Sequence, residues 1–292
     1  MHRPFLIGLG FALAAYVTWG VLPLYWALLR DVNPLEVLAH RIIWTLPFAG
    51  LMVQLGRQWG VIVAVLRQPR QLGLLAATAL LIALNWGLYI WAVANSRVVE
   101  ASLGYYLTPL VSVLLGIIVF SERPRPLQWL AVVLAAAGVG LMLVAEGMLP
   151  WVSLTLAGSF GLYGALRKYS QADSSAGLLI ETALLAPFCL GWVAWLWVGG
   201  QGAFANLSLG TDLLLIGSGI ATALPMLWYV AGARRLPLTT VGVLFYLNPT
   251  IQFLLGVLVF GEPLSLPRLY TFGLIWLGIA LYVSDGLRQR KR

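Results

Sequence analysis

YYLTPLVSVLLGIIVFSE (105–122) and FYLNPTIQFLLGVLVFGE (245–262) are one segment written twice. A constant offset of 140 aligns Tyr106 with Tyr246, Pro109 with Pro249, Gly116 with Gly256, Phe120 with Phe260 and Glu122 with Glu262. Apolar segments match easily in Leu and Val, but not in a shared set of Pro, Gly, Tyr and Glu. The same offset pairs Tyr89 with Tyr229 and the PF at 47–48 with that at 187–188, and it drifts by one near the start, where Gly20 pairs with Gly161. The chain therefore reads as a duplicated unit joined near Gly147, residues 1–147 forming one copy and 148–292 the other.

The repeated segment is also long enough to cross a membrane. The chain is 61% hydrophobic and 10% charged, with a mean hydropathy of +0.90, against about 25% charged residues in soluble domains. Apolar runs of roughly 18–25 residues, the length that crosses a hydrocarbon core as a helix, recur at 5–29, 34–56, 72–94, 98–120, 127–146, 149–168, 175–199, 211–233, 238–260 and 267–284. Ser153, Thr155 and Ser159 dilute the sixth. The runs are continuous and lack the ten-residue alternation of a barrel. The expected fold is an all-α integral membrane protein of ten transmembrane helices in two five-helix repeats. Because five is odd, the second copy enters the membrane from the opposite side, and such inverted repeats recur in secondary transporters. The first run is too long for a signal-peptide core and is expected to remain.

The net charge of +8 raises nucleic acid as a partner, and its distribution removes the need for one. With a cytoplasmic N-terminus, fourteen basic residues fall on the inner side and three (Arg30, Arg97 and Arg268) on the outer, leaving Arg41 within a span. The positive-inside rule accounts for the excess, and both termini are expected in the cytoplasm. Cys189 is the only cysteine, which excludes an internal disulfide and a cysteine metal site. No cofactor is expected; the expected partners are a small-molecule substrate and the lipid bilayer.

Within the second span, NPLE (33–36) reads as a helix start, with Asn33 as N-cap, Pro34 in the first turn and Glu36 closing a capping box. Arg41 then lies roughly 10 Å below the outer end of that helix, beside His40. An arginine at that depth is costly facing lipid and is expected to face the bundle interior or a water-filled cavity. Snorkelling of Arg41, and a His40 pair with Glu36, are the bland alternatives. The offset of 140 puts Glu181 where the first half has Arg41, at the opposite depth. Arg41 is the candidate to hold a substrate carboxylate and Glu181 to bind a coupling proton; a neutral, structural Glu181 is the alternative.

Pro109 and Pro249 free carbonyls four residues earlier, beside Thr108 with Ser112 and Asn248 with Gln252. Tyr16 and Trp19 share a helical face, as do Asn85 and Tyr89, beside Trp86; Trp228 and Tyr229 belong to the eighth span. These residues are candidates to wall a pocket, with packing as the simpler role for any one aromatic. The candidate substrate contacts are thus Trp19, His40, Arg41, Asn85, Trp86, Tyr89, Tyr229 and Asn248. Glu122 and Glu262 are expected to cap the segments that follow them.

AHRIIW (39–44), LNWGLYIWAVANSRVVEASLGYYLTPL (84–110), LAGSFGLYGALRK (156–168), GLLIETALLAPF (177–188) and TFGLIWLGIALY (271–282) resemble the RarD group of the EamA family, within the drug/metabolite transporter superfamily. The resemblance covers essentially the whole chain. It implies an inner-membrane permease of ten helices with a central cavity between the halves, among relatives that export amino acids and related metabolites; the group is named for an association with chloramphenicol sensitivity. It carries over HR as His40 and Arg41, LNW as Asn85 and Trp86, and ET as Glu181 and Thr182. Thr108 departs from the amide the group commonly has before that proline, while Asn248 keeps it. An enzyme would need a convergent catalytic set, and His2, His40, Lys168 and Lys291 are the only histidines and lysines. A scaffold subunit would leave the paired intramembrane polarity unexplained.

Overall fold

A computed structural model describes residues 3–120, 126–147, 149–233, 235–236 and 238–289. Glu122 lies outside them, as do Arg123, Arg125, Arg234 and residues 290–292 of the basic inner set. The regular elements among the described residues are all helices: α1 (Arg3–Ala27), α2 (Pro34–Leu55), α3 (Trp59–Leu66), α4 (Pro69–Ala94), α5 (Val98–Phe120), α6 (Pro126–Glu146), α7 (Trp151–Arg167), α8 (Ser174–Val198), α9 (Leu209–Ala233), α10 (Leu238–Phe245), α11 (Leu247–Leu258) and α12 (Leu266–Gln289). Seven of them, α1, α2, α4, α5, α6, α8 and α9, are long and apolar enough to cross a membrane; Leu247–Leu258 and Leu266–Tyr282 are shorter apolar stretches.

Two elements depart from the sequence reading. The short α3 occupies what reads as a connection, because eight residues are too few to span. The expected ninth run is broken at Tyr246 into α10 and α11, whereas α5 runs unbroken through Pro109.

Local chemistry sets the helix ends. Asn33 accepts the Leu35 amide (2.9 Å) and Pro34 fills the first turn of α2. Asp173 accepts the Ala176 amide (3.0 Å) at the start of α8. Glu36 does not close the expected capping box. Its buried carboxylate instead takes the amides of Ala203 and Phe204 (2.7 and 3.1 Å), orphan donors that the loop before α9 delivers. Glu262 likewise turns away from α12. Gly261, at φ +64°, reverses the chain after α11, so the carboxylate reaches the Val98 and Val99 amides (2.5 and 2.8 Å) that open α5. Burial raises the Glu262 carboxyl above the usual carboxylate range, although both amides and Arg268 oppose this. Glu100 accepts from the Val152 amide (3.3 Å) at the start of α7. All three carboxylates join residues 1–147 to residues after 148 at one end of the bundle. At the opposite end Gln58 donates to Asp173, and Gln71 accepts from the Gln171 amide (3.0 Å).

α2 is the most buried of the seven long helices, with 56% of its most apolar window covered, and it packs on α8, α9 and α4. α1 packs on α9 and α11, α7 on α4 and α5, and α6 on α12. Close approaches recur with the partners exchanged across the offset. A Cβ on Gly20 would stand 2.8 Å from Ile251 Cβ, and one on Gly161 2.9 Å from Val111 Cγ1. One on Gly138 would meet the Thr271 carbonyl oxygen at 3.2 Å, and one on Gly278 the Ala131 oxygen at 3.0 Å. Tyr106 and Tyr246 stack on each other at 6.4 Å.

Gly20→Val and Gly161→Val should each destabilise the protein by about 1–3 kcal/mol by overpacking, read as a lower Tm in detergent. Gly164→Ala, inside α7 where a Cβ meets nothing within 4 Å, should cost nothing and gain about 0.5–1 kcal/mol from helix propensity; equal losses in all three would contradict these contacts.

Candidate functional site

The sequence-derived candidates separate into four groups. Arg41 of α2 gathers the first. Its Nε donates to Thr222 Oγ1 of α9 (2.9 Å), and its guanidinium lies 4.0 Å from the ring centre of Trp86 on α4 and 5.0 Å from that of Trp26 on α1. Tyr89 and Tyr105 complete the surroundings with rings 5.6 Å apart. Asn85 is tied down, donating to the Leu156 carbonyl and to Ser159 Oγ (both 3.0 Å) and accepting from Tyr105 (3.4 Å). Arg41 is only 6% exposed. Among the described residues its guanidinium makes that one hydrogen bond, no carboxylate pairs with it, and the Tyr89 hydroxyl and Trp26 Nε1 are buried without a partner. A buried charge without a partner is costly. Ring faces offset about 2 kcal/mol when desolvated; an incoming anion would complete the set with charge-assisted bonds.

The second group holds Trp19, Tyr229 and Asn248. Tyr16, Trp19 and Tyr229 meet ring to ring at 5.7–6.0 Å, and Phe245 stands 6.1 Å from Tyr16. Gln252 Nε2 donates to Asn248 Oδ1 (2.7 Å) and to the Trp19 carbonyl (3.4 Å). That carbonyl is free because Pro23, four residues on, has no amide to give it.

His40 belongs to neither group. One residue from Arg41 on a helix is about 100° around it, so the ring faces the other way, accepting from Trp44 Nε1 (3.2 Å) and stacking 4.7 Å from Phe204. Glu181 heads the fourth group, on α8. It accepts from Thr78 (2.6 Å) and Tyr163 (3.2 Å) and pairs with Arg167 at 3.8 Å. Arg41 and Glu181 thus have separate partners. Thr182 donates to the Leu178 carbonyl (2.7 Å) in its own helix. The polar pair around Pro109 likewise serves α5 itself, with Thr108 bonded to the Gly104 carbonyl and Ser112 to that of Thr108.

Trp26, Thr222, Tyr105 and Arg167 were not singled out from the sequence. Trp26 carried a signal, since it lies seven residues from Trp19 and hence on the same helical face. Arg167 was absorbed into the basic inner set. A small crevice of about 10 Å³ bordered by Glu100, Met142, Arg268 and Thr271 lies apart from Arg41 and its neighbours.

The model of the EamA-like transporter family matches residues 6–144. Protein RarD of Streptomyces exfoliatus is 44% identical over 285 residues, covering 98% of this chain and 90% of that protein. An uncharacterized transporter of Vibrio cholerae is 41% identical over 284 residues, 96% of this chain and 93% of its own length. A solved crystal structure with 23% sequence identity aligns over 95% of this chain and 96% of that one with a TM-score of 0.59, a likeness of fold.

Pro23→Ala should return an intrahelical partner to the Trp19 carbonyl. Gln252→Leu should then cost less in that background than in the wild type, by about 0.5–1.5 kcal/mol in a double-mutant cycle of thermal unfolding; strictly additive losses would show that the Gln252 bond to Trp19 carries nothing.

Proposed function

The chain belongs to the EamA-like transporter family, in the company of RarD-named proteins, and from that premise we propose that it is a secondary transporter exporting small polar or amphipathic metabolites, such as amino acids or related compounds, by alternating access. Family and relatives point to transport rather than catalysis. The protein is a multi-pass membrane protein, and the reading places it in a bacterial inner membrane with both termini in the cytoplasm. Its ten spans are α1, α2, α4, α5 and α6, then α7, α8, α9, the α10–α11 pair and α12. They form two inverted repeats, residues 1–147 and 148–292. The exchanged contacts support that arrangement, because a two-fold axis makes i meet j wherever j's counterpart meets i's.

The observation that carries the reading is the Arg41 guanidinium, buried among ring faces with one hydrogen bond and no counterion among the described residues. It anchors a substrate anion, with Trp86, Tyr89 and Asn85 as neighbours. Trp19, Tyr229 and Asn248 supply further contacts. His40 acts from the adjacent face, through the loop that Phe204 belongs to. Glu181 binds a coupling proton, with Thr78 and Tyr163 donating to its carboxylate.

Arg41→Ala should abolish saturable counterflow of a labelled metabolite mixture into proteoliposomes while the protein stays monodisperse; undiminished flux would remove Arg41 from the site. Glu181→Gln should make flux insensitive to an imposed pH gradient. An unchanged pH profile would leave Glu181 as a structural hydrogen-bond acceptor.

A further inference from the structure

The two substrate-facing groups lie on one stripe of α1. Trp19 and Trp26 are seven residues apart, almost in register around the helix and about 10 Å apart along it. Leu22 lies between them on the same side, 7% exposed. At the Trp26 level stands the Arg41 guanidinium. At the Trp19 level stand three further rings, Tyr16, Tyr229 and Phe245, together with the amide of Gln252.

That second level has a definite polarity. Gln252 is 2% exposed, and both its bonds are donated from Nε2. The Trp19 carbonyl can only accept, so the amide cannot be turned over without setting oxygen against oxygen. Gln252 Oε1 is consequently a buried acceptor with no donor among the described residues. An unpartnered acceptor bonded through its amide to the Trp19 backbone, at the level of α1 where the four rings gather, suits a cation or a strong N–H donor, since ring faces attract positive charge. The Arg41 level has the opposite need.

The geometry points to a two-ended substrate site that takes an elongated zwitterion, its carboxylate at Arg41, its ammonium group at Gln252 Oε1 and the Trp19 cluster, and an apolar middle along Leu22. The assignment rests on the Arg41 anchor proposed above and adds the far end, the length and the charge of the substrate. A zwitterion with adjacent charges fills only one end; one with its charges about 10 Å apart fills both.

Calorimetric titration of the full-length purified protein in detergent tests this with two probe series, straight-chain ω-amino carboxylates and methyl-terminated carboxylates of the same lengths. The wild type should prefer the amino series by about tenfold, most strongly where the ends stand about 10 Å apart. Gln252→Leu and Trp19→Leu should erase that preference while methyl-terminated probes still bind, and Gln252→Glu should enlarge it. A wild type with no preference, a preference independent of length, or one that survives Gln252→Leu overturns the inference. The anchor is judged separately: methyl-terminated probes that bind Arg41→Ala as tightly as the wild type overturn the anion site itself. Failure of both series to bind the wild type overturns both.

Discussion

A backbone amide or carbonyl left unpaired in hydrocarbon has no water to turn to, and the cost of several kcal/mol falls on whichever helix breaks its own ladder. Much of this structure follows from how that constraint is met. Pro23 opens a gap at the Trp19 carbonyl, and a glutamine from α11 fills it. At one end of the bundle, orphan amides of α5, α7 and the loop before α9 are taken by Glu262, Glu100 and Glu36, each across the junction near Gly147. These polar residues tie the segments before and after Gly147 by satisfying broken backbone, alongside side-chain pairs such as Thr78–Glu181 and Arg41–Thr222. Such contacts are specific in direction and sit at helix ends, loops and breaks.

The same constraint explains why few ionisable side chains lie deep in the bundle. Arg41 is held by ring faces and one threonine, and Glu181 by a threonine, a tyrosine and an arginine at the end of α7. The two solutions differ in completeness. Both carboxylate oxygens of Glu181 have protein donors, while the Arg41 guanidinium has mostly π density. The carboxylate is served on both oxygens; the guanidinium has one hydrogen-bond acceptor among the described residues.

The all-helical, apolar character of the fold was legible, and the repeat in the sequence falls on residues that packing cannot spare. Gly20 and Gly161 match in the sequence, and each meets the counterpart of the other's neighbour, Ile251 and Val111. Hydrophobic run length located the helices, and Asn33 and Pro34 located the start of α2. The division of the candidate residues was not legible. His40 and Arg41 are adjacent in the chain, and only the orientation of α2 against α9 and the 199–208 loop sends them to different partners. Arg167 read as one more basic residue near a helix end, since nothing local announces that α7 brings it within reach of Glu181. Glu36 satisfied a local capping pattern and was nonetheless drawn off by amides 167 residues away. Spacing along one helix reports its own turns; it does not report which loop arrives from the other half.

The two halves agree where they pack and differ where they face polar chemistry. Tyr106 and Tyr246 stack across the junction, and Gly138 and Gly278 meet exchanged partners on α6 and α12. Against that common frame, Arg41 stands opposite Glu181, Thr108 opposite Asn248, and an unbroken α5 opposite the α10–α11 break. Thr108 is spent on its own helix, whereas Asn248 is joined to Gln252 and through it to α1. If the repeats served packing alone, such departures would have no reason to fall at matched positions on α2 and α8 and on α5 and α11. The departures thus sit where side chains and broken backbone meet polar partners, while the positions that match are the close glycine approaches and the stacked tyrosines that packing cannot vary.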